Sequence, residues 1–294
     1  MAQARHVFLA GNALPARWIT RTADHPFVIL ETGFGLGVNF LATWQAWRES
    51  NPSGQLHFIS VEKHPFSRQD LATYWAAFPE LEALVTPLLS QWPPLTPGFH
   101  RLNFDSDRLT LTLLFGDALT LLPSLVANVD ALYLDGFAPA KNPELWLPAL
   151  IATLNRLCRP PATLATWSVA GELRRTLEHT GWRLERVPGF SNKREMLRGS
   201  KPDSHLPTNQ RPMAASPPEH RAIVIGAGLA GAAIAQRLTR RGWQIEVFDR
   251  HAGPAQGASG NPSGILLPLL AKDDSLAARL SRACYLYALR TLAS

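Results

Sequence analysis

Four acidic residues close apolar runs in this chain, and three glycines follow the first of them. Glu31 ends "FVILE" and leads into "TGFGLGVNF", which carries Gly33, Gly35 and Gly37. Glu62 ends "LHFISVE", Asp117 follows "LTLTLLF" within "FGDA", and Asp135 ends "DALYLD". Glycines two apart let a backbone turn sharply and approach a ligand closely. Between a first strand and a helix, that is the usual place for a nucleotide-like cofactor. A glycine loop alone is weak, since such turns also serve purely structural ends. The acids add chemistry, because a carboxylate at the second strand's end suits a ribose diol. Glu31, Glu62 and Asp117, at three successive strand ends, fit a cofactor carrying an amine, a ribose and an adenine; they fit a polyphosphate poorly. S-adenosylmethionine matches best and NAD second. Asp135 raises a separate question. Gly136, Phe137, Pro139, Lys141, Asn142 and Pro143 follow it, so a carboxylate, an aromatic ring and a lysine share a proline-stiffened loop. On the residues alone, an exposed loop whose Asp caps the next helix has the edge over a catalytic reading.

Seven strand-like runs supply the scaffold: residues 27–31, 56–62, 109–115, 130–135, 162–167, 182–187 and 194–198. Helical patterns such as "GVNFLATWQAW" and "GELRRTLEHTGW" fill most gaps, and strands alternating with helices argue for an α/β fold with a mostly parallel sheet. The last two runs are joined by a short turn containing Gly189, too short for a crossover helix, and should pair antiparallel. Trp44, Trp47 and Trp75 lie on helical patterns and read as packing residues rather than base-stacking platforms. His64 reads as a loop residue.

At 294 residues, with 46% hydrophobic and 18% charged, the chain suits one large domain or two ordinary ones. No run approaches the ~20 apolar residues of a spanning helix, and the N-terminus lacks a signal-peptide pattern. Cys158 and Cys284 fall in regions that read as different domains, which predicts reduced thiols and a cytoplasmic protein. The nine histidines show no ligand-like spacing with the cysteines, so no metal site is expected. The net charge of +6 is uneven: residues 1–200 hold 18 Lys+Arg against 17 Asp+Glu, and residues 201–294 hold 11 against 6. Within the first part, Arg183, Arg186, Lys193, Arg194 and Arg198 face only Glu185 and Glu195. Such a cluster fits phosphate binding, with Lys193 and Arg194 as RNA contacts, and equally fits a solvated surface with ordinary counter-charges.

The stretch 199–220 holds five prolines and almost no large apolar residue, as an extended linker does. It divides the chain into a first domain over residues 1–199, a linker over 200–220 and a second unit over 221–294. The second unit opens "RAIVIGAGLAGAAIAQRLTRRGWQIEVFDR". A strand, then Gly226, Gly228 and Gly231, a helix, and a second strand ending at Asp249 make a GxGxxG fingerprint in its proper context. The pyrophosphate of a dinucleotide would rest at the helix N-terminus and Asp249 would hold its ribose.

The strings "VFLAGN", "ETGFGLGVNFL", "FISVEK", "FGDA", "DGFAPAKNPELW" and "GFSNKREMLRG", in that order over residues 7–199, resemble the methyltransferase half of the bifunctional tRNA-modifying MnmC family. The resemblance implies a Rossmann-like class I methyltransferase with a seven-stranded sheet. It also implies transfer of a methyl group from S-adenosylmethionine to the aminomethyl group on C5 of a wobble uridine, hence a tRNA anticodon region as partner. Asp135 would then sit near the glycine loop, accept the amine's hydrogen bonds and help carry its proton away. Phe137 would stack on the extruded uracil, and Lys141 would meet a phosphate or base oxygen. The segment "GASGNPSGILLPLL" resembles the flavin-side loop of the family's oxidase half, which uses FAD to remove a carboxymethyl group from the same substituent. The family carries a lead-in segment before "VFLxGN" and a much longer oxidase half. The expectation is therefore a chain truncated at both ends, with an incomplete FAD site. Methylation of another amine, such as an exocyclic base amine, and a non-catalytic cofactor-binding fragment are the alternatives.

Overall fold

A computed structural model of the chain describes residues 1–20, 25–136, 142–202 and 220–292. Eight strands make one sheet: β1 (Phe27–Thr32), β2 (Leu56–Glu62), β3 (Gly98–Phe104), β4 (Leu109–Phe115), β5 (Val129–Tyr133), β6 (Cys158–Thr166), β7 (Arg183–Pro188) and β8 (Glu195–Ser200). Their order is β3-β4-β2-β1-β5-β6-β8-β7. From β4 through β6 every pairing is parallel. β8 runs antiparallel to both β6 and β7, the reversal that the short Gly189 turn requires. All six residues of β1 are buried, as a central strand covered on both faces must be.

The seven expected runs are all strands, and β3 is one more. "GFHRLNF" has no continuous apolar run: Phe99 and Arg101 face outward while His100, Leu102 and Phe104 face inward. It is a half-buried edge strand, turned back on β4 through Asp105, Ser106 and Asp107, all with positive φ.

Helices cover both faces. The helices Val38–Ser50, Arg68–Trp75 and Glu82–Ser90 pack one side through Phe40, Leu41, Trp44, Trp47, Trp75 and Leu88. The three tryptophans are core residues. Trp44 is fully buried and its indole N–H donates to Asp105 at 2.7 Å, so Trp44→Ala should cost roughly 3–5 kcal/mol. The helices Pro148–Leu157 and Gly171–His179 cover the other side through Leu150, Ile151, Leu154, Leu173 and Leu177. Strand succession reverses at β1, which has β2 on one side and β5 on the other. The carboxyl ends of β1 and β5 therefore flank the switch point of the sheet, where ligands bind in such folds.

A second, two-stranded parallel sheet pairs β9 (Arg221–Ile225) with β10 (Gln244–Phe248) around the helix Leu229–Thr239. The helix Leu276–Leu292 then lies along β3, where Asn103 Nδ2 donates to the Tyr287 hydroxyl at 3.2 Å and Arg290 donates to the Arg101 carbonyl at 3.1 Å. Arg237 adds an ion pair to Asp107 at 3.0 Å. Most of the expected linker lies outside the described residues. Among those residues no helix is long and apolar enough to cross a membrane, and no cluster of His, Cys, Asp and Glu could hold a metal. Cys158 is buried, Cys284 is exposed, and no disulfide joins them.

Candidate functional site

The glycine loop departs from β1 with φ of +93° at Gly33, +52° at Gly35 and +78° at Gly37. These left-handed conformations suit glycine and strain other residues. The loop is clasped to the end of β2. Gly33 N–H donates to the Val61 carbonyl at 2.8 Å, and Gly35 N–H donates to Glu62 Oε2 at 2.8 Å. The other Glu62 oxygen accepts the His64 N–H at 2.8 Å. A Cβ built at Gly35 would meet nothing within 4 Å, so the loop faces open space there, whereas at Gly37 it would press on the Phe34 ring at 2.8 Å. That room beside Glu62 is what a cofactor with a ribose needs. Asp117, just beyond β4, spends Oδ1 on the Leu119 N–H at 2.9 Å and lies 3.2 Å from the Lys63 ammonium through Oδ2. Lys63 also reaches Glu144, at 2.7 Å.

Glu31 has a different place from the one its position at the strand end suggests. It is 1% exposed. Ser60 Oγ donates to Oε2 at 2.6 Å and Asn39 Nδ2 donates to Oε1 at 2.8 Å. Burial raises its carboxyl well above the usual carboxylate range, against the two hydrogen bonds that favour the charge. It lies beneath the site, and its reach to it is through Asn39.

Asn39 is the hinge of the arrangement. Its amide has two hydrogens; Nδ2 donates to Glu31 and, at 2.7 Å, to Asp135 Oδ2. Asp135 Oδ1 accepts the Gly136 N–H at 2.8 Å and the Trp167 indole N–H at 3.0 Å. Thr32 Oγ1 donates to the Asp135 carbonyl at 2.6 Å, tying the ends of β1 and β5 together. Among the described residues three donors reach its two oxygens, which leaves one acceptor position on Oδ2. Burial raises the Asp135 carboxyl; the Gly136, Asn39 and Trp167 donors and the nearby Lys193 cation pull the other way. The helix-cap reading fails, because the side chain turns into the sheet's carboxyl edge rather than onto a following helix.

Lys193, expected beside Arg194 as an RNA contact, sends its ammonium 3.3 Å from the centre of the Trp167 ring. Arg194 stays exposed on the β7–β8 turn. Within the basic cluster, Arg186 pairs with Glu195 at 3.2 Å and Arg198 with Glu185 at 2.7 Å, so those two have ordinary counter-charges. Phe137 and Lys141 lie outside the described residues. Asn39, Ser60 and Trp167 were not read from the sequence. Trp167 could have been, since it follows β6, the neighbour of β5, and so ends beside Asp135.

In the second unit Gly226 has φ +102°, and a Cβ at Gly231 would collide with the Gly226 carbonyl. Close packing of helix on strand is what the third glycine of the fingerprint provides. Asp249 accepts the Ala227 N–H at 2.7 Å and the His251 N–H at 2.8 Å, which hold its carboxyl below the usual range.

A doubly wound sheet with this glycine loop, followed by a dinucleotide-type βαβ unit, defines a class I methyltransferase fold joined to a Rossmann unit. Residues 79–202 match a family described as S-adenosyl-L-methionine-dependent methyltransferase, and residues 221–294 match FAD dependent oxidoreductase. The bifunctional protein MnmC of tRNA 5-methylaminomethyl-2-thiouridine biosynthesis from Aromatoleum aromaticum is 54% identical over 99% of this chain and 45% of its own length. Its counterpart from an Azoarcus species is 53% identical with the same coverages. The crystal structure of MNMC2 from Aquifex aeolicus shares the fold, with a TM-score of 0.53, 22% identity, and coverage of 72% of this chain and 62% of that one. Over the length it spans, this chain is similar to the MnmC proteins. It spans about 45% of the length of these curated relatives.

Proposed function

We propose that the first domain, residues 1–199, transfers a methyl group from S-adenosylmethionine to the 5-aminomethyl group of 5-aminomethyl-2-thiouridine at the tRNA wobble position, in the cytoplasm. The observation that carries this reading is Asp135, fixed by Asn39, Gly136 and Trp167 at the mouth of the switch point with one acceptor position open. The relatives' names, which refer to tRNA 5-methylaminomethyl-2-thiouridine biosynthesis, support this choice of substrate.

Gly33, Gly35 and Gly37 give the cofactor its room, Glu62 its ribose contact and Asp117 its adenine contact. S-adenosylmethionine supplies the methyl group on a positively charged sulfur. The chain's task is the amine, which is mostly protonated at neutral pH and attacks only as the free base. Asp135 accepts one proton from the bound ammonium and aims the nitrogen lone pair. With the methyl group supplied from the cofactor's sulfonium, the positive charge would end on the methylated amine, and Asp135 would release its proton to water. A carboxyl raised by burial is a stronger base than one in water, which suits this step. Phe137 stacks on the extruded uracil, Lys141 meets a phosphate or base oxygen, and Arg194 touches the tRNA backbone. After a linker over 200–220, the unit over 221–294 contributes Gly226, Gly228, Gly231 and Asp249 to the adenosine-diphosphate side of an FAD site.

The test is Asp135→Ala. S-adenosylmethionine affinity by calorimetry should hold within about two-fold, while methyl transfer to tRNA should fall on the order of 10²-fold or more. Retained turnover would move the role elsewhere.

A further inference from the structure

We propose that Lys193 is a positioning residue of the methyl-transfer site, keeping Asp135 in its carboxylate form, rather than a tRNA phosphate contact. The inference rests on the reading of Asp135 given above.

The geometry sets Lys193 apart from its neighbours. The residue is exposed on the β7–β8 turn, and its ammonium lies over Trp167, 3.3 Å from the ring centre. The N–H of that same indole holds Asp135 Oδ1 at 3.0 Å. A cation over an indole face is attracted by the ring's negative quadrupole, so one ring seats the ammonium and, through its N–H, holds the carboxylate. Arg194, one residue on, shows no such turn inward.

The charges around Asp135 explain why a cation is needed. From β1, Glu31 faces it across the shared Asn39 amide, and Glu62 stands behind Glu31. Burial pushes the Tyr133 hydroxyl on β5 well above its ordinary value, and it stays neutral. Asn39, Trp167 and Thr32 are uncharged. Among the described residues, Lys193 is the cation that bears on Asp135, and each acts on the other: burial lowers the lysine while Asp135 raises it. Two acids in one buried cluster oppose each other's ionisation, and burial opposes both. Without Lys193, Asp135 would hold a proton to higher pH and could not accept another from the substrate ammonium. The lysine also repels a bound ammonium and so favours its loss of a proton.

The experiment compares wild type, Lys193→Met and Lys193→Arg in the full chain, measuring methyl transfer to tRNA bearing 5-aminomethyl-2-thiouridine across pH. Lys193→Met should lose about tenfold more turnover at pH 6 than at pH 9, with the tRNA KM within about two-fold. Lys193→Arg, which keeps the charge, should follow the wild-type profile. A Met variant whose profile superimposes on wild type would overturn the inference. So would a loss confined to KM with a flattened salt dependence, the mark of a phosphate contact. The carboxyl titration of Asp135, followed by NMR without tRNA, reads the same coupling even if wild type fails to methylate tRNA. Its midpoint should move to higher pH in Lys193→Met, and an unmoved midpoint would contradict the proposal. Wild type inactive on tRNA with a moved midpoint would sink the substrate assignment and leave the Lys193–Asp135 coupling standing.

Discussion

At the residue scale, the site is a chain of shared hydrogens from Ser60 through Glu31 and Asn39 to Asp135 and Trp167. Glu31 is its least comfortable member, since a buried carboxyl with a raised pKa favours folding only while protonated. Its contribution is fully present below the unfolded value, near 4.5, and is lost as pH rises through the higher folded value. Glu31→Gln can keep both bonds, accepting from Asn39 and donating to Ser60, without carrying a charge. Thermal melts from pH 5 to pH 9 should therefore show the variant gaining on wild type as pH rises; a constant difference would mean Glu31 is ionised without penalty. The place of Asp135 at the sheet's carboxyl edge was legible because it closes an apolar run, and strand ends at a switch point are where ligands bind in such sheets. The support under it was not: Asn39 looks like one polar residue on an amphipathic helix, and only the fold shows its amide between two carboxylates.

At the element scale, the glycine loop joins β1 to the helix Val38–Ser50 and is clasped to β2 through Glu62. A Cβ at Gly35 meets no protein atom within 4 Å, so the cost of a side chain there comes from φ +52° and from the cofactor space it fills. Gly35→Asp should leave the fold intact by circular dichroism and abolish S-adenosylmethionine binding in calorimetry; wild-type affinity would remove the loop from the site. In the second unit a Cβ at Gly231 would collide with the Gly226 carbonyl, so Gly231→Ala should force the helix Leu229–Thr239 away from β9. That variant should lower protection of residues 221–292 from proteolysis and leave methyl transfer within about two-fold. Parallel strands were legible as continuous apolar runs. β3 was not, because an edge strand with one wet face mixes Arg101 and Asn103 with Leu102 and Phe104.

At the scale of the whole molecule, the net charge of +6 does not translate into one basic face. Arg186 and Arg198 are engaged by Glu195 and Glu185, while Arg183 and Arg194 stand exposed on the same hairpin. Removing Arg183 and Arg194 together should flatten the log–log salt dependence of tRNA binding by somewhat less than about two units. The Arg186 and Arg198 pair should have a smaller effect, and equal effects would mean that RNA displaces the ion pairs. The contacts of Tyr287 and Arg237 with the β3–β4 edge could not be read from sequence, since they join residues more than a hundred apart through an edge strand the sequence hides. The central claim is the transfer itself. The direct measurement is incubation of the protein with methyl-labelled S-adenosylmethionine and tRNA carrying 5-aminomethyl-2-thiouridine, followed by nucleoside analysis. Label should appear in 5-methylaminomethyl-2-thiouridine and depend on Asp135; an unlabelled wobble nucleoside, or label on an exocyclic base amine instead, would contradict the account.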